Sequence, residues 1–113
     1  MITPPILAID FGKKHIGLAV SDYKGIVATP LDVIHITKNS TMETILNDIS
    51  NVVTEYRVKS LLFGVPQSFE KAHDINKDRI DRFIAVVINK LQLPYTTIDE
   101  SFSTSSARFT FSI

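Results

Sequence analysis

The sequence contains no cysteine, which excludes disulfide bonds, thiol catalysis and every zinc site with a cysteine ligand. It also lacks net charge, because twelve Lys and Arg residues balance twelve Asp and Glu residues. A uniformly basic surface for nucleic acid is therefore excluded, although a local basic patch is not. No apolar run is long enough to span a membrane and the first residues do not form a signal peptide, so we expect a cytoplasmic protein.

The chain length and composition fit one globular domain. There are 113 residues, and 44% of them are hydrophobic, which is enough for an ordinary core. No internal repeat, low-complexity tract or linker divides the sequence. We therefore expect a single domain over residues 1–113.

The first third of the sequence has the pattern of three β-strands. Residues 6–10 and 15–21 are short apolar runs, and the turn residues 11–14 lie between them. Residues 26–34 form a third extended segment that Pro30 interrupts, as in an edge strand or a bend. Because the connections are short, we expect an antiparallel meander.

Two amphipathic helices follow. The first is predicted from one apolar stripe over residues 42–56, and Ser40 and Glu43 at its start match a capping box. The second carries a similar stripe over residues 80–91 and is expected to stop before Pro94.

Two more apolar runs, residues 60–65 and 95–98, alternate with these helices. Continuous apolar runs between helices are typical of parallel strands that are buried on both faces. The predicted order is β-β-β-α-β-α-β, an α/β fold with a mixed five-stranded sheet flanked by helices.

Acidic residues end two of the predicted strands. Asp10 ends the first strand, and Asp99 and Glu100 end the last. Asp10 alone would fit a turn former equally well. Parallel sheets, however, bind ligands beyond the carboxyl ends of their strands, and carboxylates that converge there are tolerated mainly around a cation. Oxygen ligands without cysteine favour Mg²⁺ or Mn²⁺ over zinc.

Residues 6–22, with the sequence ILAIDFGKKHIGLAVSD, closely resemble the opening of the YqgF family, also called RuvX, a family of Holliday-junction resolvases. Residues 28–34, 63–66 and 98–107 resemble three further segments of that family. All four occur in the family's order and spacing, so the resemblance covers most of the chain.

The resemblance implies an RNase H-like fold and a nuclease that hydrolyses phosphodiester bonds in structured nucleic acid, either precursor 16S rRNA or branched DNA. Asp10 and Glu100 match the family's metal ligands, and together with Asp99 they are the candidate catalytic residues. Such nucleases hold Mg²⁺ against the scissile phosphate, where a metal ion activates water and neutralises charge.

Two segments offer candidate contacts to the substrate. Lys13 and Lys14 lie in the turn beside Asp10, where they could meet a phosphate backbone, although a solvated hairpin turn is an equally good interpretation. Thr104 lies in the segment that resembles the family's paired threonines, and this segment also has the pattern of a helix start.

Three features depart from the family. Ser101 stands where the family has arginine, residues 67–71 replace its glycine-rich segment, and its last helix, with a further metal-binding Asp, is expected to be missing after Ile113. A sheet that lacks a covering helix is expected to be marginally stable, or to be masked by a homodimer or another partner. The alternative function is a catalytically inactive relative that binds nucleic acid or protein.

Other features have plainer interpretations. His15, His35 and His73 are scattered without the spacing of metal ligands and are expected to be structural. The interleaved charges of residues 70–82 are typical of a solvated helix face. Residues 10–20 also resemble the first phosphate loop of actin-like ATPases and sugar kinases, which need two such domains.

Overall fold

The structure, a computed structural model, describes residues 3–12, 14–65 and 75–99. Its elements in chain order are β1 (Ile6–Phe11), β2 (His15–Ser21), β3 (Ala28–Pro30), β4 (Ile34–His35), α1 (Met42–Glu55), β5 (Ser60–Val65), α2 (Ile75–Leu91) and β6 (Tyr95–Asp99). The strands lie in the order β3-β2-β1-β5-β6, and β4 also pairs with β2. β1 is antiparallel to β2 and parallel to β5, which is parallel to β6. The predicted mixed α/β sheet with two helices is confirmed.

The predicted third strand is two short strands, so the sheet has six strands and the prediction of five is wrong. The registers of β3 and β4 against β2 differ by one residue. Two residues, Asp32 and Val33, therefore lie opposite the single residue Gly17 of β2. Such a β-bulge bends the bulged strand and interrupts its ladder. Pro30, which has no amide hydrogen, is the last residue of β3 and lies at this break.

The start of α1 is one residue later than the predicted capping box. Thr41 is the N-cap, and its hydroxyl accepts a hydrogen bond of 3.1 Å from the Thr44 amide, while the Thr44 hydroxyl accepts one of 3.1 Å from the Thr41 amide. The predicted pair of Ser40 and Glu43 is therefore wrong. The Ser40 hydroxyl instead accepts the amide of Thr37 at 2.8 Å, within the preceding turn.

The sheet buries residues on both faces. One face packs on both helices and contains Leu7, Ile9, Ile16, Leu18, Val20, Leu61 and Phe63, with Ile45, Ile49, Phe83 and Val87 from the helices. The other face contains Ile6, Ala8, Ala19 and Leu62. Successive strand residues point to opposite faces, so at the end of β1 Phe11 belongs to the helix-covered face and Asp10 to the other. Within the described residues, no helix is long and apolar enough to cross a membrane.

Two buried serines fix the amino-terminal end of β1. The Ser21 hydroxyl accepts the amide of Ile6 at 2.8 Å. The fully buried Ser60 hydroxyl accepts the amide of Thr3 at 2.7 Å and donates to the Thr3 carbonyl at 2.8 Å. Buried polar groups need hydrogen-bond partners, so these bonds fix the position of the start of β1 in the sheet. The position of its start also determines where Asp10, near its other end, lies.

Candidate active site

The carboxyl ends of β1, β5 and β6 lie at one edge of the sheet, because these three strands are parallel. Asp10 pairs with Gly64 of β5, and Gly64 pairs with Ile98 of β6. Asp99 pairs with Val65, one residue further along. β5 therefore lies between Asp10 and the end of β6. Two strand spacings put the backbones of β1 and β6 roughly 10 Å apart.

Glycines flank Asp10 on both neighbouring strands. Asp10 is half-buried and pairs with Gly17 on one side and Gly64 on the other. A Cβ atom on Gly17 would lie 3.8 Å from the Asp10 Cβ atom. Residues paired across strands are the nearest neighbours on a sheet face, so neither partner residue places a side chain beside this carboxylate. Asp10 is therefore the one side chain of these three paired positions.

The turn from β1 to β2 needs glycine at its first position. The Gly12 amide donates a hydrogen bond of 2.9 Å to the carbonyl oxygen of His15, and a Cβ atom on Gly12 would lie 2.8 Å from that oxygen. Lys14 is exposed in this turn, four residues after Asp10 in the sequence. Lys13 lies outside the described residues.

Arg79 belongs to the charged segment that was expected to be a solvated helix face, but its guanidinium also lies against the end of β1. The ring of Phe11 stacks on Phe83 of α2, with centroids 4.3 Å apart, and the guanidinium of Arg79 lies 5.3 Å from the Phe11 ring centroid. A cation over an aromatic face is held by the ring quadrupole. Arg79 and Phe83 are four residues apart, which places them on one side of a helix. This spacing is the sequence signal that could have indicated that Arg79 lies next to a buried aromatic residue.

Two histidines that are far apart in the sequence are neighbours in the sheet. His15 of β2 and His35 of β4 are register partners, and their ring centroids are 6.4 Å apart at an interplanar angle of 60°. Both side chains are exposed. Strand pairing brings these two histidines together although they lie 20 residues apart in the sequence.

Asp22 forms the turn between β2 and β3. Its carboxylate accepts the amides of Ile26 at 2.9 Å and Val27 at 3.3 Å. The hydrogen bond from the Ile26 amide lowers the pKa of the Asp22 carboxyl from its usual 3.8, against a smaller opposing effect of desolvation. Gly25 completes the turn with a positive φ of 74°, which glycine adopts without strain.

The residues at the edge fit part of a magnesium site. Asp10 supplies a half-buried carboxylate at a strand end, which is the oxygen ligand that Mg²⁺ prefers. Over residues 3–12, 14–65 and 75–99, no three His, Cys, Asp or Glu side chains gather around one point. The other predicted ligand, Glu100, and the predicted substrate contact Thr104 lie outside the described residues.

A mixed sheet with this strand order, helices on one face and an aspartate at the end of its central strand define an α/β domain of the RNase H-like class. A solved RuvC from Thermus thermophilus, in complex with a Holliday junction substrate, is similar with a TM-score of 0.62 and 16% identity, over 83% of this chain and 63% of that one. A ROK hexokinase from Thermus thermophilus is similar with a TM-score of 0.53 and 16% identity, over 84% of this chain and 33% of the kinase. At such low identity, both likenesses show the fold alone.

The family follows from the sequence. The family model described as "RuvX: Holliday junction resolvase" matches residues 4–112, and the chain belongs to this family of nucleases. A relative from Desulforamulus reducens is 34% identical over 90% of this chain and 72% of its own length. A relative from Dictyoglomus turgidum is 36% identical over 90% of this chain and 70% of its own length. Both are named "Putative pre-16S rRNA nuclease". The family expected from residues 6–22 and the later segments is thereby confirmed.

Proposed function

We propose that the chain is a metal-dependent nuclease that hydrolyses phosphodiester bonds in structured RNA, with the 5′ end of precursor 16S rRNA as its substrate. The observation that carries this proposal is the half-buried carboxylate of Asp10 between Gly17 and Gly64, at the edge where the parallel strands end. The names of the similar relatives support the choice of RNA. This substrate would place the protein in the cytoplasm, where rRNA is matured.

Asp10 would hold a magnesium or manganese ion, with Glu100 and the neighbouring Asp99 as further candidate acids. A bound ion of this kind lowers the pKa of a coordinated water and neutralises charge on the phosphate. The described residues contribute positioning: β1 is paired on both sides, which fixes the Asp10 backbone. Because positions 17 and 64 are glycine, neither paired residue has a side chain that would compete for space with a ligand of Asp10.

Local positive charge would hold the nucleic acid, since the chain has no net charge. Lys14 is exposed in the turn that follows β1, and Arg79 is held over the ring of Phe11 at the end of the same strand. Phosphate contacts from Lys and Arg position a substrate without reading its sequence. Lys13 and Thr104 remain predicted contacts.

The test is cleavage of a 5′-labelled precursor RNA that spans the 16S 5′ end, with a four-way DNA junction as the second substrate. We expect RNA cleavage that needs Mg²⁺ and stops with EDTA. Asp10→Asn keeps the side-chain shape and removes the charged ligand, so it should lower the cleavage rate by about 100-fold or more. The matched control is Asp32→Asn, which alters an exposed acid in the bulge and should leave cleavage unchanged.

Other outcomes point to other functions. Preferential cleavage of the junction would assign the substrate to branched DNA. Binding of both substrates without cleavage, with equal affinity for the wild type and Asp10→Asn, would support a catalytically inactive binding module. Full activity in Asp10→Asn would overturn the proposed site.

A further inference from the structure

We propose that His15 and His35 form a binding site for one divalent transition-metal ion, such as Zn²⁺ or Ni²⁺. The two residues are register partners on the antiparallel strands β2 and β4. The site uses imidazole nitrogens, unlike the carboxylate site at Asp10, and its argument does not depend on the nuclease activity.

The backbone places this histidine pair at the closest kind of cross-strand position. The amide of Ile36 donates a hydrogen bond of 2.8 Å to the carbonyl of Lys14, so residues 14 and 36 form a hydrogen-bonded pair. In an antiparallel ladder, hydrogen-bonded and non-hydrogen-bonded pairs alternate. His15 and His35 are therefore a non-hydrogen-bonded pair, for which the Cα atoms are about 4.5 Å apart and the side chains approach most closely.

The ring separation is close to that of two imidazoles on one ion. Metal–nitrogen bonds of about 2.0–2.1 Å put two such ring centroids roughly 5 Å apart at a tetrahedral angle. The rings of His15 and His35 are 6.4 Å apart at their centroids, and both side chains are exposed. Small side-chain rotations in open solvent close this difference. Imidazole favours Zn²⁺, Ni²⁺ and Cu²⁺, whereas Mg²⁺ prefers oxygen ligands.

A metal ion bound by the two histidines would lie on the face of the sheet that carries Asp10. Two protein ligands would leave some of its coordination positions for exchangeable ligands. His15 and Gly17 are two residues apart on β2 and therefore share a face, and Gly17 is the partner of Asp10. The described part of the chain brings no third His, Cys, Asp or Glu into a metal-binding group with this pair. Water or a ligand oxygen would complete the coordination.

Isothermal titration calorimetry of the protein with ZnCl₂ or NiCl₂, in excess MgCl₂, tests this site. We expect one ion per chain. His15→Ala and His35→Ala should each lower the affinity for the metal ion by about tenfold or more, because each removes one of the two imidazole ligands. His73→Ala, which removes the third histidine of the sequence, is the matched control and should bind as the wild type does.

A second control separates this site from the proposed nuclease site. Asp10→Asn should bind Zn²⁺ or Ni²⁺ with unchanged affinity even where it abolishes cleavage. Thermal unfolding should be the same for both single variants as for the wild type, since the altered side chains are exposed. Unchanged affinity in either His15→Ala or His35→Ala, or a comparable loss in His73→Ala, would overturn the proposal.

Discussion

Asp10 and Gly64 are register partners on the adjacent parallel strands β1 and β5, and on its other side Asp10 faces Gly17 of β2. A carboxylate at a strand end is thus framed by two residues without side chains. A single substitution at Gly17 would place a side chain beside Asp10.

Gly17→Val should reduce cleavage while the protein remains folded. A Cβ atom at position 17 meets only ordinary contact, 3.8 Å from the Asp10 Cβ atom, and glycine within a strand is itself unfavourable. The branched side chain would crowd the carboxylate, and displacement of a reacting group by an ångström can lower a rate by about 100-fold. Cleavage rates and urea unfolding of the same preparation measure the two effects. An active Gly17→Val enzyme would show that glycine beside Asp10 is not required.

Gly12→Ala should destabilise the protein by about 1–3 kcal/mol, because the new Cβ atom would lie 2.8 Å from the backbone carbonyl oxygen of His15. Gly17→Ala is the matched control, since its nearest atom is at 3.8 Å, and it should change the free energy of unfolding by less than about 1 kcal/mol. Urea denaturation of both variants makes the comparison. Equal stabilities would mean that the turn can relax away from the contact.

Arg79→Gln should weaken nucleic-acid binding through the loss of one positioned cation. If Arg79 contacts a phosphate, the slope of log K against log salt should fall by about 0.9 for duplex substrate. Arg82→Gln removes an exposed arginine three residues further along α2 and serves as the control. Affinities measured at several salt concentrations decide between them. The same change of slope in both variants would show that only general charge matters.

The turn at Asp22 should make a pH-dependent contribution to stability. The pKa of the Asp22 carboxyl is lowered from 3.8 by the Ile26 amide, so its stabilisation is fully present at neutral pH and is lost as the pH falls below about 4. Asp22→Asn should therefore be less stable than the wild type at pH 7, with a gap that disappears near pH 2. Urea unfolding at both pH values measures the gap. A gap that is the same at both values would contradict the role of the charge.

Much of the local structure follows from the sequence because its signals are periodic. The apolar stripe of α1 and the apolar runs of β1 and β5 depend only on neighbouring residues, and they lie where they were expected. The family can also be recognised from a short segment, because residues 6–22 carry most of its opening pattern. The start of α1 differed by one residue because Ser40 and Thr41 are both good caps, and the preceding turn takes the Ser40 hydroxyl.

What only the tertiary structure decided is which distant residues become neighbours. The bulge at Asp32 and Val33 depends on how β3 and β4 pair with β2, and the same pairing brings His35 to His15. The two glycines beside Asp10 come from strands before and after α1. The physical reason is strand register: backbone hydrogen bonds and core packing set it across the whole sheet, and a shift of one residue would exchange every neighbour.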